Sequence, residues 1–131
     1  MINELLWHKA LNIHKHAVKS GAVIPLETKS LDLYNINCDY EVRELKSRLP
    51  DYLLKYGPKS NPFDPWDKQL EIELISNNHV LILNKYPVKI GHMLLITNKW
   101  SPQNGWLNRE DFDSISIVEN DTRGLWFFNS S

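Results

Sequence analysis

Apolar and polar positions change their spacing several times along the chain, and each change marks an element. From Ile2 to Ser20, the residues Ile2, Leu5, Leu6, Ile13 and Ala17 recur at helical intervals, which predicts an amphipathic helix. Asn3 is placed to cap its start, and Gly21 follows its end, where a left-handed glycine commonly closes a helix. Further on the period drops to two. Leu70, Ile72 and Leu74 share one face and Glu71 and Glu73 the other, as in a half-buried strand. Ser76-Asn77-Asn78 is a turn signal, "HVLIL" from His79 to Leu83 reads as a buried strand, and Met93 to Ile96 as another. Together they predict an antiparallel meander. Tyr40 to Leu45 alternates loosely and fits a strand to Glu44 or the start of a helix through Leu54; the strand is preferred. Asn108 precedes Arg109, Glu110 and Asp111, an N-cap followed by acids in the first turn. Phe112, Ile115 and Val118 then give this helix its apolar face. Leu125 to Phe128 is a last apolar run, read as a buried strand.

The segments between these elements are polar or broken by proline. Ala22 to Asp39 mixes a short extended run with a proline and polar residues around Tyr34. "KYGPKSNPFDPW", Lys55 to Trp66, excludes regular structure, and Phe63 and Trp66 are expected to anchor it as an ordered loop. "NKYPVKIGH", Asn84 to His92, is a hairpin loop punctuated by Pro87 and Gly91. The pattern predicts an α+β fold, an antiparallel sheet with flanking helices, within one domain of 131 residues.

Composition narrows the function classes. Fifteen basic and sixteen acidic residues leave a net charge of −1, so no bulk attraction draws the chain to nucleic acid or to an anionic membrane. An anionic ligand has to be held by a local group of cations. Cys38 is the only cysteine, which rules out an intrachain disulfide and suits a reducing cytoplasm. The start, "MINELLWHKAL", has neither the basic segment nor the apolar run of a signal peptide, and no apolar stretch is long enough to span a bilayer.

Catalytic motifs are scarce. Cys38 has no neighbouring histidine, and no Gly-x-Ser-x-Gly, Cys-x-x-Cys, His-Glu-x-x-His or glycine-rich phosphate loop occurs. His14 and His16 lie two apart on the first helix, on nearly opposite faces, and cannot share a metal there. His79 and His92 flank the hairpin loop as edge-strand or loop residues rather than catalysts. Four lysines offer an anion site: Lys55 and Lys59 in the proline-rich loop, Lys85 and Lys89 in the hairpin loop, provided that the two loops meet over one sheet edge.

"HVLILNKYPVKIGHMLLITNKW", His79 to Trp100, resembles the corresponding segment of the ATP adenylyltransferases, also called diadenosine tetraphosphate phosphorylases, within the histidine-triad fold group. The shared pattern is an apolar strand, Asn-Lys-aromatic-Pro-Val, a short loop, a histidine and a second apolar strand. "GPKSNPFDPWDKQLEI" and "GLWFFNSS" are similar to the family's segments before and after it, in the same order. The resemblance implies an incomplete histidine-triad-like fold that binds ATP, ADP and diadenosine tetraphosphate. By position, Asn84 is implied to meet the nucleotide ribose and Lys85 to contact the nucleotide beside it. Lys55, with Lys59 as rival, matches a phosphate-contacting lysine, and Asn129 the asparagine near the phosphates. No resident cofactor or metal ligand is implied beyond a divalent cation that can accompany the nucleotide.

One departure governs the expected activity. The family continues from Asn-Ser-Gly into a His-x-His-x-Gln strand whose histidine attacks the α-phosphate and carries the nucleotide covalently, dividing the transfer into two steps. Here Ser131 stands where the family has glycine, and the only His-x-His is His14-Lys15-His16 in the first helix. Residues 1–131 are therefore expected to be a single N-terminal domain ending before the catalytic strand, with no catalytic residue and no activity alone. Two alternatives remain open: a non-catalytic binding module that pairs with a second chain supplying the missing strand, and a decayed gene product.

Overall fold

A computed structural model of the chain describes residues 5–33, 40–46 and 63–128. Its elements are α1 (Leu6–Ser20), β1 (Thr28–Leu33), β2 (Tyr40–Leu45), a 3-10 turn (Lys68–Leu70), β3 (Glu71–Leu74), β4 (His79–Leu83), β5 (Met93–Thr97) and α2 (Arg109–Thr122). This is the expected α+β class, but the strands form two antiparallel sheets rather than one. β1 pairs with β2, and a separate three-stranded sheet has the order β3-β4-β5. The partner of β2 lies inside the stretch read from sequence as mixed; Thr28 faces Leu45 and Leu33 faces Tyr40 across the pair.

The core is built on β4. His79, Val80, Leu81, Ile82 and Leu83 are all buried, because this strand is central in its sheet and covered on both faces. α1 packs on the sheet through β3 and also meets the 3-10 turn and α2. Leu6, Ala10 and Ala17 are its buried residues, one helical stripe with small side chains where the neighbours come close. The expected cap and face at its start need correction. The N-cap residue is Leu5, which makes no side-chain cap bond and is 47% exposed; Asn3 lies outside the described residues. Its other end is as expected: Gly21 adopts φ +81° and donates its N–H to the Val18 carbonyl.

β3 departs from its apparent alternation. Glu71 faces Ile82, whereas Glu73 faces Leu81, so an extra residue is accommodated in β3 between them. A bulge of this kind reverses the inside–outside sense beyond it. Leu70 and Ile72 are buried, but Leu74 is 58% exposed. In α2 the buried positions are Ser114 and Val118, with Ile115 half-buried, while Phe112 is 56% exposed. The seam of α2 is thus narrower than the apolar residues imply, and one of its two fully buried residues is a serine.

Leu125 to Phe128 does not form the expected strand. The segment is irregular, and among the described residues no backbone hydrogen bond joins it to β5. Leu125 is almost fully exposed and Phe127 largely so. Apolar composition favours burial, but a strand also needs a neighbour for its backbone groups. Only Trp126 turns back onto the core, where its Nε1–H donates to Glu119 Oε2 at 2.6 Å. At the other loop, Trp66 packs on the core, whereas Phe63 stays outside it and is 41% exposed. Among the described residues no helix is long and apolar enough to cross a membrane.

Candidate functional site

β4 and β5 pair in strict register from His79–Thr97 to Leu83–Met93, which brings Asn84 and His92 together as the first residues beyond the ladder. The Asn84 N–H donates to the His92 carbonyl at 2.9 Å and closes the loop. Asn84 Oδ1 accepts the Tyr86 N–H at 2.9 Å, an Asx turn that starts the loop's reversal. The carboxamide nitrogen therefore points the other way and lies 3.3 Å from His92 Nδ1. An amide nitrogen can only donate, so the imidazole nitrogen facing it is an acceptor.

The loop is braced from outside as well. After α1, the Ile24 N–H donates to the Lys85 carbonyl at 2.8 Å and the Leu26 N–H to the Pro87 carbonyl at 2.9 Å. This extended run fixes the backbone of Lys85 while its side chain stays exposed, with Nζ 5.7 Å from the centre of the Tyr86 ring. Gly91 adopts φ +84°, and a Cβ there would overlap the Trp7 ring. The α1 tryptophan thus lies directly on the loop's return, next to His92. The imidazole of His92 packs edge-on to Phe127 at 6.3 Å between centroids, and burial lowers its pKa below the ordinary histidine value.

Of the expected site residues, Asn84 and Lys85 share this loop mouth. Lys55, its rival Lys59, and Asn129 lie outside the described residues. The expected meeting of the two lysine-bearing loops falls outside them too. Among the described residues no group of three or more His, Cys, Asp or Glu is arranged to hold a metal ion. Two shallow surface hollows lie elsewhere, one between α1 and the 3-10 turn and one beside His79 at the far end of β4. Neither is lined by Asn84 or Lys85.

His79 is not the edge or loop residue expected. It begins the central strand and is 4% exposed. Its Nε2 lies 2.7 Å from Asp111 Oδ1 and its Nδ1 lies 3.3 Å from Ser76 Oγ. Ser76 Oγ also accepts from Ser114 Oγ. With one ring nitrogen on a helix carboxylate and the other on a turn hydroxyl, His79 ties α2 to the β3–β4 turn. His92 enters the sequence reading only as a loop histidine of the shared pattern, without a role, because the side chain it meets, Asn84, reaches it across the loop.

The model of the Ap4A phosphorylase N-terminal domain family matches residues 1–131 of the chain. Comparison with curated proteins finds no match. Among solved structures, the chain is similar to yeast Ap4A phosphorylase Apa2 in complex with AMP, with 25% identity and a TM-score of 0.71, over 90% of this chain and 39% of that one. It is also similar in fold to the same yeast enzyme in complex with Ap4A, with 24% identity and a TM-score of 0.65, over 93% of this chain and 42% of that one. The chain spans about two-fifths of the length of those structures.

Proposed function

Because the chain belongs to the Ap4A phosphorylase N-terminal domain family, we propose that it forms the nucleotide-positioning part of an ATP adenylyltransferase. Such an enzyme moves adenylyl groups between diadenosine tetraphosphate, phosphate, ATP and ADP. The observation that carries this reading is the Asn84 carboxamide, held at the mouth of a braced loop by Tyr86 and His92. Those two bonds use one Nδ2 proton and one Oδ1 lone pair, so the group can still both donate to and accept from ribose hydroxyls. The likeness to a yeast enzyme in complex with AMP supports the same ligand class.

Each residue then has a separate role. Asn84 orients the ribose, and the exposed Lys85 beside it contributes positive charge near the phosphates. Lys55, or Lys59 in its place, and Asn129 complete the phosphate contacts. Cations and amide donors of this kind stabilise charge that develops on a transferring phosphoryl group. A divalent cation enters with the nucleotide's phosphates rather than on a carboxylate cluster of the described residues. The covalent step requires a histidine nucleophile, and the only His-x-His of the sequence, His14-Lys15-His16, lies within α1 rather than on a strand. The 131 residues alone are accordingly inactive in phosphorolysis and act in the cytoplasm, where Cys38 stays reduced.

A second reading is favoured by the exposure of Leu125 and Phe127. In it the chain is a binding module whose apolar segment is covered by a second chain that supplies the histidine-bearing strand.

Calorimetric titration with AMP tests the first reading. Saturable binding by the chain, weakened in Asn84→Ala, is expected. No binding at all, or binding unchanged by Asn84→Ala, would sink the proposal.

A further inference from the structure

We propose that His92 is a positioning residue of this nucleotide site: its neutral imidazole accepts the Asn84 carboxamide N–H at Nδ1 and so fixes which way that carboxamide faces. The inference rests on the reading of Asn84 as a nucleotide contact, and it adds the residue that makes Asn84 usable. A free asparagine side chain can turn its amide over, exchanging donor and acceptor. Here Oδ1 is committed to the Tyr86 N–H at 2.9 Å, and Nδ2 meets His92 Nδ1 at 3.3 Å. Turning the amide over would set an NH2 group against the Tyr86 N–H, and would keep a bond to Nδ1 only if the imidazole proton moved from Nε2 to Nδ1.

His92 is itself held so that Nδ1 stays in place. Its carbonyl accepts the Asn84 N–H at 2.9 Å, Met93 beside it opens β5, and Phe127 packs against the ring. Gly91, one residue earlier, lies against the Trp7 ring, so α1 supports the same short segment. A ribose hydroxyl arriving at the loop mouth thus meets a carboxamide already oriented, and no ordering cost falls on binding.

The experiment compares AMP titrations of the full chain and its variants. His92→Leu, which keeps the bulk but removes the acceptor, is expected to weaken AMP binding about fivefold to tenfold. His92→Asn sets an oxygen acceptor close to the place of Nδ1 and is expected to recover most of that loss, which mere filling of space would not. In the Asn84→Ala background, His92→Leu is expected to have no further effect. AMP binding that falls in Asn84→Ala but is unchanged in His92→Leu overturns the role of His92 and leaves that of Asn84. Absence of AMP binding by the unaltered chain overturns both. Should His92→Leu fail to fold, nitrogen-15 spectra of the unaltered chain decide: the tautomer protonated at Nε2 is expected, and one protonated at Nδ1 overturns the proposal.

Discussion

His79 Nε2 and Asp111 Oδ1 lie 2.7 Å apart although 32 positions separate them in the chain. Asp111 has a second task. Its Oδ2 accepts the Asn108 N–H at 2.8 Å while Asn108 Oδ1 accepts the Asp111 N–H at 2.9 Å, a reciprocal capping box at the start of α2. One carboxylate therefore both starts the helix and fastens it to the central strand. Asp111→Ala should lose both functions and cost about 2–4 kcal/mol, against about 1 kcal/mol for an ordinary cap. His79→Phe should cost about 1–3 kcal/mol by leaving Asp111 with an unfilled acceptor. Urea denaturation of the two single variants and the double variant measures the coupling. Additive losses would mean that the pair does not act as a unit.

Leu74 tests the bulge in β3. If the sequence alternation held throughout, Leu74→Ala and Ile72→Ala would cost alike. With Ile72 buried at 2% and Leu74 exposed at 58%, Ile72→Ala should cost about 2–5 kcal/mol and Leu74→Ala less than about 0.5 kcal/mol. Equal denaturation midpoints for the two variants would contradict the register.

Gly91→Ala should be among the most damaging small changes, because it combines a positive φ with overlap on the Trp7 ring. A loss of about 2–4 kcal/mol is expected from the two effects together. Trp7→Ala in the same chain should recover the steric part and leave the backbone part. A Gly91→Ala chain as stable as the parent would show that Trp7 does not rest on this loop.

Acid should destabilise the fold through His92. Burial holds its pKa below the ordinary value of 6.5, so the unfolded chain takes up this proton more readily than the folded one. The contribution of neutral His92 is complete above 6.5 and declines as pH falls from there toward the lower folded value. Denaturation midpoints measured between about pH 5 and about pH 8 should fall with acid more steeply in the parent than in His92→Asn. Identical slopes would exclude His92 as a source of the decline.

Lys85 separates charge from orientation in the proposed site. Its side chain is exposed, so Lys85→Ala should leave stability unchanged and weaken AMP binding about twofold to fivefold, with the difference shrinking at high salt. Equal affinities at low salt would remove Lys85 from the site.

Much of this protein was decided locally. The glycine after α1, the asparagine–aspartate cap of α2, the turn at Ser76 to Asn78 and the strands on either side of it follow from short-range backbone chemistry, which neighbouring residues specify directly. That Asn84 and Lys85 open one hairpin loop was also legible, because the two apolar strands and the turn residues between them are contiguous in the chain. Tertiary structure decided what depends on a distant partner. It split the strands into two sheets, since β2 needed β1, and it turned Leu74 outward by a bulge whose cause lies in the pairing with β4. It made His79 a buried tie because Asp111 arrives from another element, and among the described residues it left Leu125 to Phe127 without a strand partner despite their composition. It also set His92 against Asn84. Periodicity reports which side of an element is apolar, but not which backbone or polar group will be waiting there, and hydrogen bonds across the fold depend on the second.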